Sequence, residues 1–376
     1  MNVFLDNAAT TPLNAEAKDC IINLLDNYYN PSSKYQNGMN ARKIIENARE
    51  NVAQFISGRS ENVIFTSSGS AANSLIIKGL TSEDRVKNEY FVFYSPTSHK
   101  SMIEACKSCC VKKALAVDEY GRLDLGKLKT YLQKTFSGYK PLVCIEAANS
   151  EIGTINDIPL ICDIVHNNGG IVIADVTGYI PTNMVNINEL KADFITFSGH
   201  KLGALKGIGA LYINKKLFIK PLVYGTQERS LFAGTENLLG IASLGAAVCN
   251  YKYNSVSSKN RDYVYDYIMH NIPNSVLIGA PLEYRLPHNL YMCFIGVHGE
   301  QLMTLLDING IEVSTGSACN SGNVDVSPTL AAINMDKQLM RSCIRMTFLG
   351  KETKKELDYV CAKLKECVER LRKFID

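Results

Sequence analysis

Short apolar runs, punctuated by polar and glycine-containing stretches, recur through the first two thirds of the chain at residues 62–65, 89–94, 141–146, 170–174, 194–197 and 210–213. Their length and their content of Val, Ile, Phe and Tyr predict buried strands. Residues 41–56 and 158–167 space their apolar positions three or four apart and predict helices. Such alternation specifies an α/β fold, a mainly parallel sheet with helices on both faces. Residues 238–248 make the longest apolar stretch; it is interrupted by Gly240 and Gly245 and too short to span a bilayer, so it reads as a core helix. Beyond Val248 the pattern changes. A long helix over 259–272 leads to a smaller α+β unit with strand-like runs at 289–295 and 310–314 and a final helix at 354–375. In that helix Leu357, Val360, Leu364, Cys367, Leu371 and Phe374 form one apolar stripe, which predicts docking on the small unit's own sheet rather than on a partner.

Two of the predicted strands end in chemistry. Residues 170–174 run into Asp175, and residues 194–197 run into Ser198-Gly199-His200-Lys201. Open α/β sheets place ligands beyond the carboxyl ends of their strands, where a carboxylate and an amine can grip one ring. Taken alone, Lys201 reads far more readily as a surface lysine laying its stem over apolar neighbours than as a catalytic one. As a pair, the two suit pyridoxal 5'-phosphate: the amine forms an imine with its carbonyl and the carboxylate keeps the pyridine nitrogen protonated. Ser67-Ser68-Gly69-Ser70 follows the strand at 62–65 and looks like the start of a helix, whose free N–H groups would hold a phosphate at the Gly69-Ser70 step. The same residues also suit an ordinary helix cap. Ser314 to Gly322 is a run of small polar residues around Cys319, the composition of an exposed loop with a reactive thiol. Cys144, Cys162, Cys343 and Cys361 sit in apolar or helical patterns and read as small buried hydrophobes.

Ordered matches run nearly end to end: Leu5-Asp6-Asn7-Ala8-Ala9-Thr10-Thr11-Pro12, Asn30-Pro31-Ser32-Ser33, Phe65-Thr66-Ser67, His99-Lys100-Ser101, Glu151-Ile152-Gly153, Asp175, Ser198 to Lys201, Lys206 to Tyr212, Gly234-Thr235-Glu236-Asn237, and Ser314 to Ser321. Through them the chain resembles cysteine desulfurases of the NifS/IscS type, within the class V aminotransferase superfamily of fold-type-I pyridoxal phosphate enzymes. The resemblance implies a large cofactor-binding domain over 12–255 and a small domain of 1–11 and 256–376 that carries the cysteine loop. It implies Lys201 as the Schiff-base lysine, Asp175 as partner of the pyridine nitrogen, and His99 stacked on the ring and moving protons. Gly69, Ser70, Ser198 and His200 would hold the phosphate, with Thr235 reaching it from the other subunit of a homodimer. Ser150 would lie at the ring, Arg345 would clamp the substrate carboxylate, and Asn7 and Asn149 would line the substrate. Cys319 would take the sulfur of L-cysteine as a persulfide, leaving L-alanine. The Gly-Ser-Ala-Cys form of the loop looks like the branch that passes sulfur to an acceptor or scaffold protein, as in iron–sulfur cluster assembly.

Departures from the family pattern cluster around the cofactor. Ser150 stands where a second asparagine touches the ring hydroxyl, Gly178 where a glutamine bonds the ring oxygen, and Phe232 where an arginine precedes the Ala-Gly-Thr-Glu-Asn stretch. Ala71 and Ser98 replace acids, and Tyr35 a histidine. Each lost hydrogen bond to a charged group costs about 1.5–3 kcal/mol. Lys201, Asp175, His99, Cys319 and Arg345 all remain, which favours a working desulfurase. The alternatives are a pyridoxal-phosphate lyase acting on selenocysteine or a related β-substituted amino acid, and a weakly active paralogue that works by binding partners.

Composition sets the scene. With 376 residues and 46% hydrophobic content the chain buries a large core, and a formal charge of +3 without like-charge blocks argues against direct nucleic-acid binding. Twelve cysteines with no signal-peptide layout at Met1 to Leu5 suggest free thiols in a reducing cytoplasm. Cys106 and Cys109 form a C-x-x-C without a second pair at zinc spacing, so no metal is expected there.

Overall fold

The computed structural model describes residues 1–82, 89–134, 138–315 and 327–373. Its strands in chain order are β1 Val3–Phe4, β2 Val63–Thr66, β3 Tyr90–Tyr94, β4 Lys112–Ala114, β5 Lys140–Glu146, β6 Ile171–Asp175, β7 Phe194–Ser198, β8 Gly209–Ile213, β9 Ser275–Leu277, β10 Asn289–Phe294, β11 Ile311–Glu312 and β12 Cys343–Thr347. The large sheet has the order β2-β8-β7-β6-β5-β3-β4. Strands β3 to β7 run parallel, and β8 is antiparallel to both its neighbours.

Continuous apolar runs arise because this sheet is covered on both faces. On β5, Val143 and Ile145 join one buried cluster with Ala41, Ile45 and Leu244, while Leu142 and Cys144 join another with Leu75, Ile76 and Met102. On β6, Val172 and Ala174 face the first and Ile171 and Ile173 the second. Each Val, Ile, Leu or Met side chain among them contributes about 1.5–3 kcal/mol by leaving water. The helix Leu238–Cys249 lies almost wholly in this core, matching its apolar reading.

The small sheet has the order β12-β10-β9, all antiparallel, and beside it β1 pairs parallel with β11. Its buried cluster takes Val3 and Leu5 from the chain start and residues from Val264 to Val368. The final helix contributes Leu357, Val360, Leu364 and Cys367 to that cluster, so its stripe docks within the chain. The N-terminal segment is stitched in place: Asp6 bridges Thr347, and Asn7 Nδ2 donates to Thr347 O at 2.7 Å.

Several boundaries differ from the sequence reading. The helix expected from residue 41 begins at Gln36, because its first turn is polar and has no apolar rhythm to reveal it. The strand expected over 310–314 covers Ile311–Glu312; Ser314 turns away to exchange backbone hydrogen bonds with Arg345. The last helix is described from Lys354 to Arg372. Cys109 follows the end of the helix Lys100–Lys107 and meets Thr81 Oγ1 at 3.3 Å; no cluster of potential metal ligands occurs among the described residues. Among them, too, no helix is long and apolar enough to cross a membrane.

Candidate active site

Strand β7 delivers buried Ser198 to a single 3-10 turn, Gly199–Leu202, that carries His200 and Lys201. Lys201 is half-buried. Burial, followed by the Arg345 charge, pulls its ammonium down to about 8, with Asp175, Glu146 and Asp6 opposing. Part of the amine is therefore neutral, and nucleophilic, near physiological pH.

Strand β6 ends at buried Asp175, which is the register partner of Thr196 on the neighbouring parallel strand β7. Its Oδ2 accepts from Asn73 Nδ2 at 2.8 Å and its Oδ1 from the Thr177 N–H at 2.9 Å. Asn73 cannot rotate freely, since its Oδ1 accepts from Thr196 Oγ1 at 2.6 Å. The same Nδ2 reaches Ser101 Oγ at 3.1 Å, and Ser101 Oγ lies 2.8 Å from His99 Nδ1. His99 caps the helix Lys100–Lys107, and its Nδ1 accepts the Ser101 N–H at 3.2 Å. A backbone N–H can only donate, so the neutral ring carries its proton on Nε2. Desolvation lowers the His99 pKa, with Asp175 opposing and Lys201 adding to the drop.

The helix Gly69–Thr81 starts beside these groups. Ser68 caps it, its Oγ accepting from Ala71 N–H at 3.1 Å, while Ala72 N–H bonds Ser68 O. The N–H groups of Gly69 and Ser70 precede these bonds and lie at the positive end of the helix dipole. Strand β8 fits flush against this start because residue 209 is glycine: a Cβ there would lie 2.3 Å from Ser68 C and 2.5 Å from Gly69 N. His200 is tied to the chain start, its Nδ1 3.1 Å from Thr10 Oγ1 and its carbonyl accepting from Thr11 Oγ1 at 2.9 Å. Burial, then Lys201 and Lys206, lowers the His200 pKa.

Gly69, Ser70, His99, Ser150, Asp175, Ser198, His200 and Lys201 thus line one cavity of 280 Å³. Ser150, Thr177, Gly178 and Lys201 also border a second of 760 Å³, which extends to Asn7 and His288. Arg345, on β12, stands behind this wall: its Nη2 meets Asp6 Oδ1 at 2.7 Å, its Nη1 donates to Ser150 O at 3.0 Å, and its Nε is buried without a partner. Asn149 is placed differently from the expected substrate contact. It borders neither cavity, its Nδ2 is taken by Thr97 O and Glu146 Oε1, and its Oδ1 by the N–H groups of Glu151 and Ile152. Its work is to hold the turn after β5. Thr235 is exposed and does not line the cavity of its own protomer. Phe232 packs against the core cluster that contains Ile64 and Leu75.

Backbone has closed in where the family glutamine would project. A Cβ on Gly178 would lie 2.8 Å from Ala148 O, so no side chain fits there without moving that carbonyl. Cys319 lies outside the described residues. On one side of its segment Ser314 pairs with Arg345, and on the other Ser327 Oγ donates to Glu151 Oε2 at 2.8 Å. Asn73, Ser101, Thr177 and Glu146 are site residues that sequence reasoning passed over. Asn73 carried a signal, a lone polar residue at helical spacing from Ile76, Ile77 and Leu80.

The model of the family described as aminotransferase class-V matches residues 3–360. The chain belongs to this family. It is 36% identical over 384 residues to a protein named cysteine desulfurase IscS from Dictyoglomus turgidum, covering 98% of this chain and 95% of that protein. It is 32% identical to a cysteine desulfurase IscS from Methanosarcina thermophila, covering 98% and 93%. A solved structure titled NifS-like protein superposes with a TM-score of 0.89 at 29% identity, covering 98% of this chain and all of that one. The class-V family's cofactor, pyridoxal 5'-phosphate, fits the donors present. A partly neutral lysine, an oriented carboxylate and two free N–H groups at a helix start face one cavity, and buried Thr177 Oγ1 borders it without a partner.

Proposed function

We propose that this class-V protein is a pyridoxal-phosphate-dependent cysteine desulfurase, converting L-cysteine to L-alanine and moving the sulfur to Cys319. The observation that carries this reading is the convergence of Lys201, Asp175 and the Gly69 helix start on one cavity. When bound, pyridoxal phosphate supplies an electron-withdrawing ring that delocalises the charge left at the substrate α-carbon. Lys201 Nζ would hold the cofactor and exchange protons, and Asp175 would pair with the ring nitrogen. The N–H groups of Gly69 and Ser70, with Ser198 and His200, would hold the phosphate, and Thr235 of a second protomer would complete that hold. His99 keeps its proton on Nε2 and has Nδ1 fixed by Ser101, so one ring atom is free to give or take a proton. Arg345, whose Nε has no partner and whose Nη2 pairs with Asp6, would bind the substrate carboxylate. Asn7 and Ser150 line the approach to it.

The Cys319 thiolate attacks the substrate sulfur, the carbon–sulfur bond breaks, a proton completes alanine, and Cys319 retains the sulfur as a persulfide. An acceptor or scaffold protein then removes it, as iron–sulfur cluster assembly would require. A homodimer suits the exposed apolar run Phe218, Leu222, Val223 and Tyr224, which leads towards exposed Thr235. A reducing cytoplasm suits the cysteines, every described one of which is a free thiol.

Cofactor-loaded protein incubated with L-cysteine is expected to release alanine, and the Cys319 peptide to gain a sulfur atom by mass. Cys319→Ser should keep the bound cofactor and lose the persulfide. Loaded wild-type protein that forms no alanine overturns the proposal. Turnover of selenocysteine without cysteine would transfer the reading to the related lyase.

A further inference from the structure

One polar group in the cavity has no part in the chemistry above. Glu146 closes β5 as Asp175 closes β6, and the two are register partners on neighbouring parallel strands. Alternation puts both side chains on the sheet face occupied lower down by Cys144 and Ile173. Both residues are 5% exposed and border the same cavity. Neighbouring strands stand about 4.8 Å apart, a separation at which two buried carboxyl groups do not both ionise.

Their hydrogen bonds decide which one keeps the proton. Each oxygen of Asp175 has its own N–H donor, Asn73 at 2.8 Å and Thr177 at 2.9 Å. Glu146 Oε1 accepts from Asn149 Nδ2 at 2.9 Å, an amide shared with Thr97 O at 2.8 Å, and the Thr97 side chain is its other hydrogen-bond partner. Burial first, then Asp175 and Glu151, pushes the Glu146 carboxyl well above the usual range, against the hydrogen bonds of Asn149 and Thr97. The other charged or titratable groups around it are Lys201 from the turn after β7, His99 from its helix cap, and Glu151, itself engaged by Ser327 and Tyr291.

We propose that Glu146 and Asp175 form an acid–carboxylate pair holding one proton, carried by Glu146, whose O–H is a hydrogen-bond donor offered to the bound cofactor. This rests on the pyridoxal phosphate reading. It leaves a single negative charge at the strand ends and adds a donor to a cavity in which Ser150 is short and Gly178 offers none. Glu146 is a positioning residue for the cofactor, acting with Asp175.

The test compares holoprotein of wild type, Glu146→Gln, which keeps a neutral donor, and Glu146→Met, which keeps bulk alone. The infrared difference between wild type and Glu146→Gln at neutral pH should contain the carbonyl stretch of a protonated carboxylic acid. In Glu146→Gln the apparent ionisation of the coloured cofactor should stay within about 0.3 pH units of wild type. Glu146→Met should shift the visible band and weaken cofactor binding about tenfold while melting as a folded protein. An absent acid carbonyl, or a fall of about one unit or more in the Glu146→Gln ionisation, shows an anionic Glu146 and overturns the pair. A Glu146→Met band and affinity equal to wild type overturns the donor role. Wild-type protein that takes up no cofactor defeats the underlying reading instead, and the infrared result still decides the proton's location.

Discussion

Asn73 ties the two sides of the proton chemistry together, because one amide nitrogen reaches both Asp175 and the serine that fixes His99. Replacing it by leucine removes a donor from a buried carboxylate, a loss of about 1.5–3 kcal/mol. Asn73→Leu should weaken cofactor binding by about 10- to 150-fold in a fluorescence titration, and unchanged binding would show that Asp175 is oriented by Thr177 alone. Lys201 offers a pH-dependent check. Burial destabilises its charged form, so protonation is complete only well below about 8, and the nucleophilic form accumulates as pH rises through that value. In cofactor-free protein the rate of Lys201 acylation should therefore rise with a midpoint near about 8, well before ordinary surface lysines near roughly 10.4. Asp175 and Lys201 were legible in the sequence because each ends an apolar run. Glu146 ends one too and was passed over, since a carboxylate there was read as the strand's border. Asn149 shows the opposite limit: a motif gives the identity of a residue and leaves open which way the turn faces it.

The helix Gly69–Thr81 owes its position to what β8 lacks. Gly209→Ala would drive a methyl group into the backbone of Ser68 and Gly69, where no flexible side chain can yield. Overpacking of this kind costs about 1–3 kcal/mol, and the displaced helix start would also hold phosphate less well. The expected outcome is a lower melting temperature together with weaker pyridoxal phosphate binding; stability lost with binding intact would separate the helix start from the cradle. The buried strands were readable because both faces of their sheet are covered, so burial writes a continuous apolar run. Helix starts were less so. Tyr35 enters the helix Gln36–Phe55 without a side-chain cap, and the polar first turn resembles a loop. The turn of Ser314 from β11 towards Arg345 depends on a strand thirty residues later, which no local window contains.

Two protomers meeting through the exposed apolar run would bring Thr235 of each to the other's phosphate site. Phe218 and Tyr224 are each 71% exposed in the protomer. Phe218→Asp with Tyr224→Asp should raise the dimer dissociation constant by about 100-fold or more, seen by sedimentation, with cofactor affinity falling in parallel. A double variant that stays dimeric would place the contact elsewhere. The change of pattern after Val248 marks where the chain leaves the seven-stranded sheet, whereas nothing local in the sequence shows that Val3 and Leu5 join the cluster of residues 264–368. Their pairing has a consequence for synthesis. Ala8 N–H bonds Thr347 Oγ1 across 339 residues, and β1 adds to β11. Residues 3–8 therefore cannot dock until residues 311–347 have been made, well after the strands bearing Asp175 and Lys201. Asp6 reaches Arg345 only at that final docking, so a nascent chain would acquire its grip on the vitamin before its grip on the amino acid.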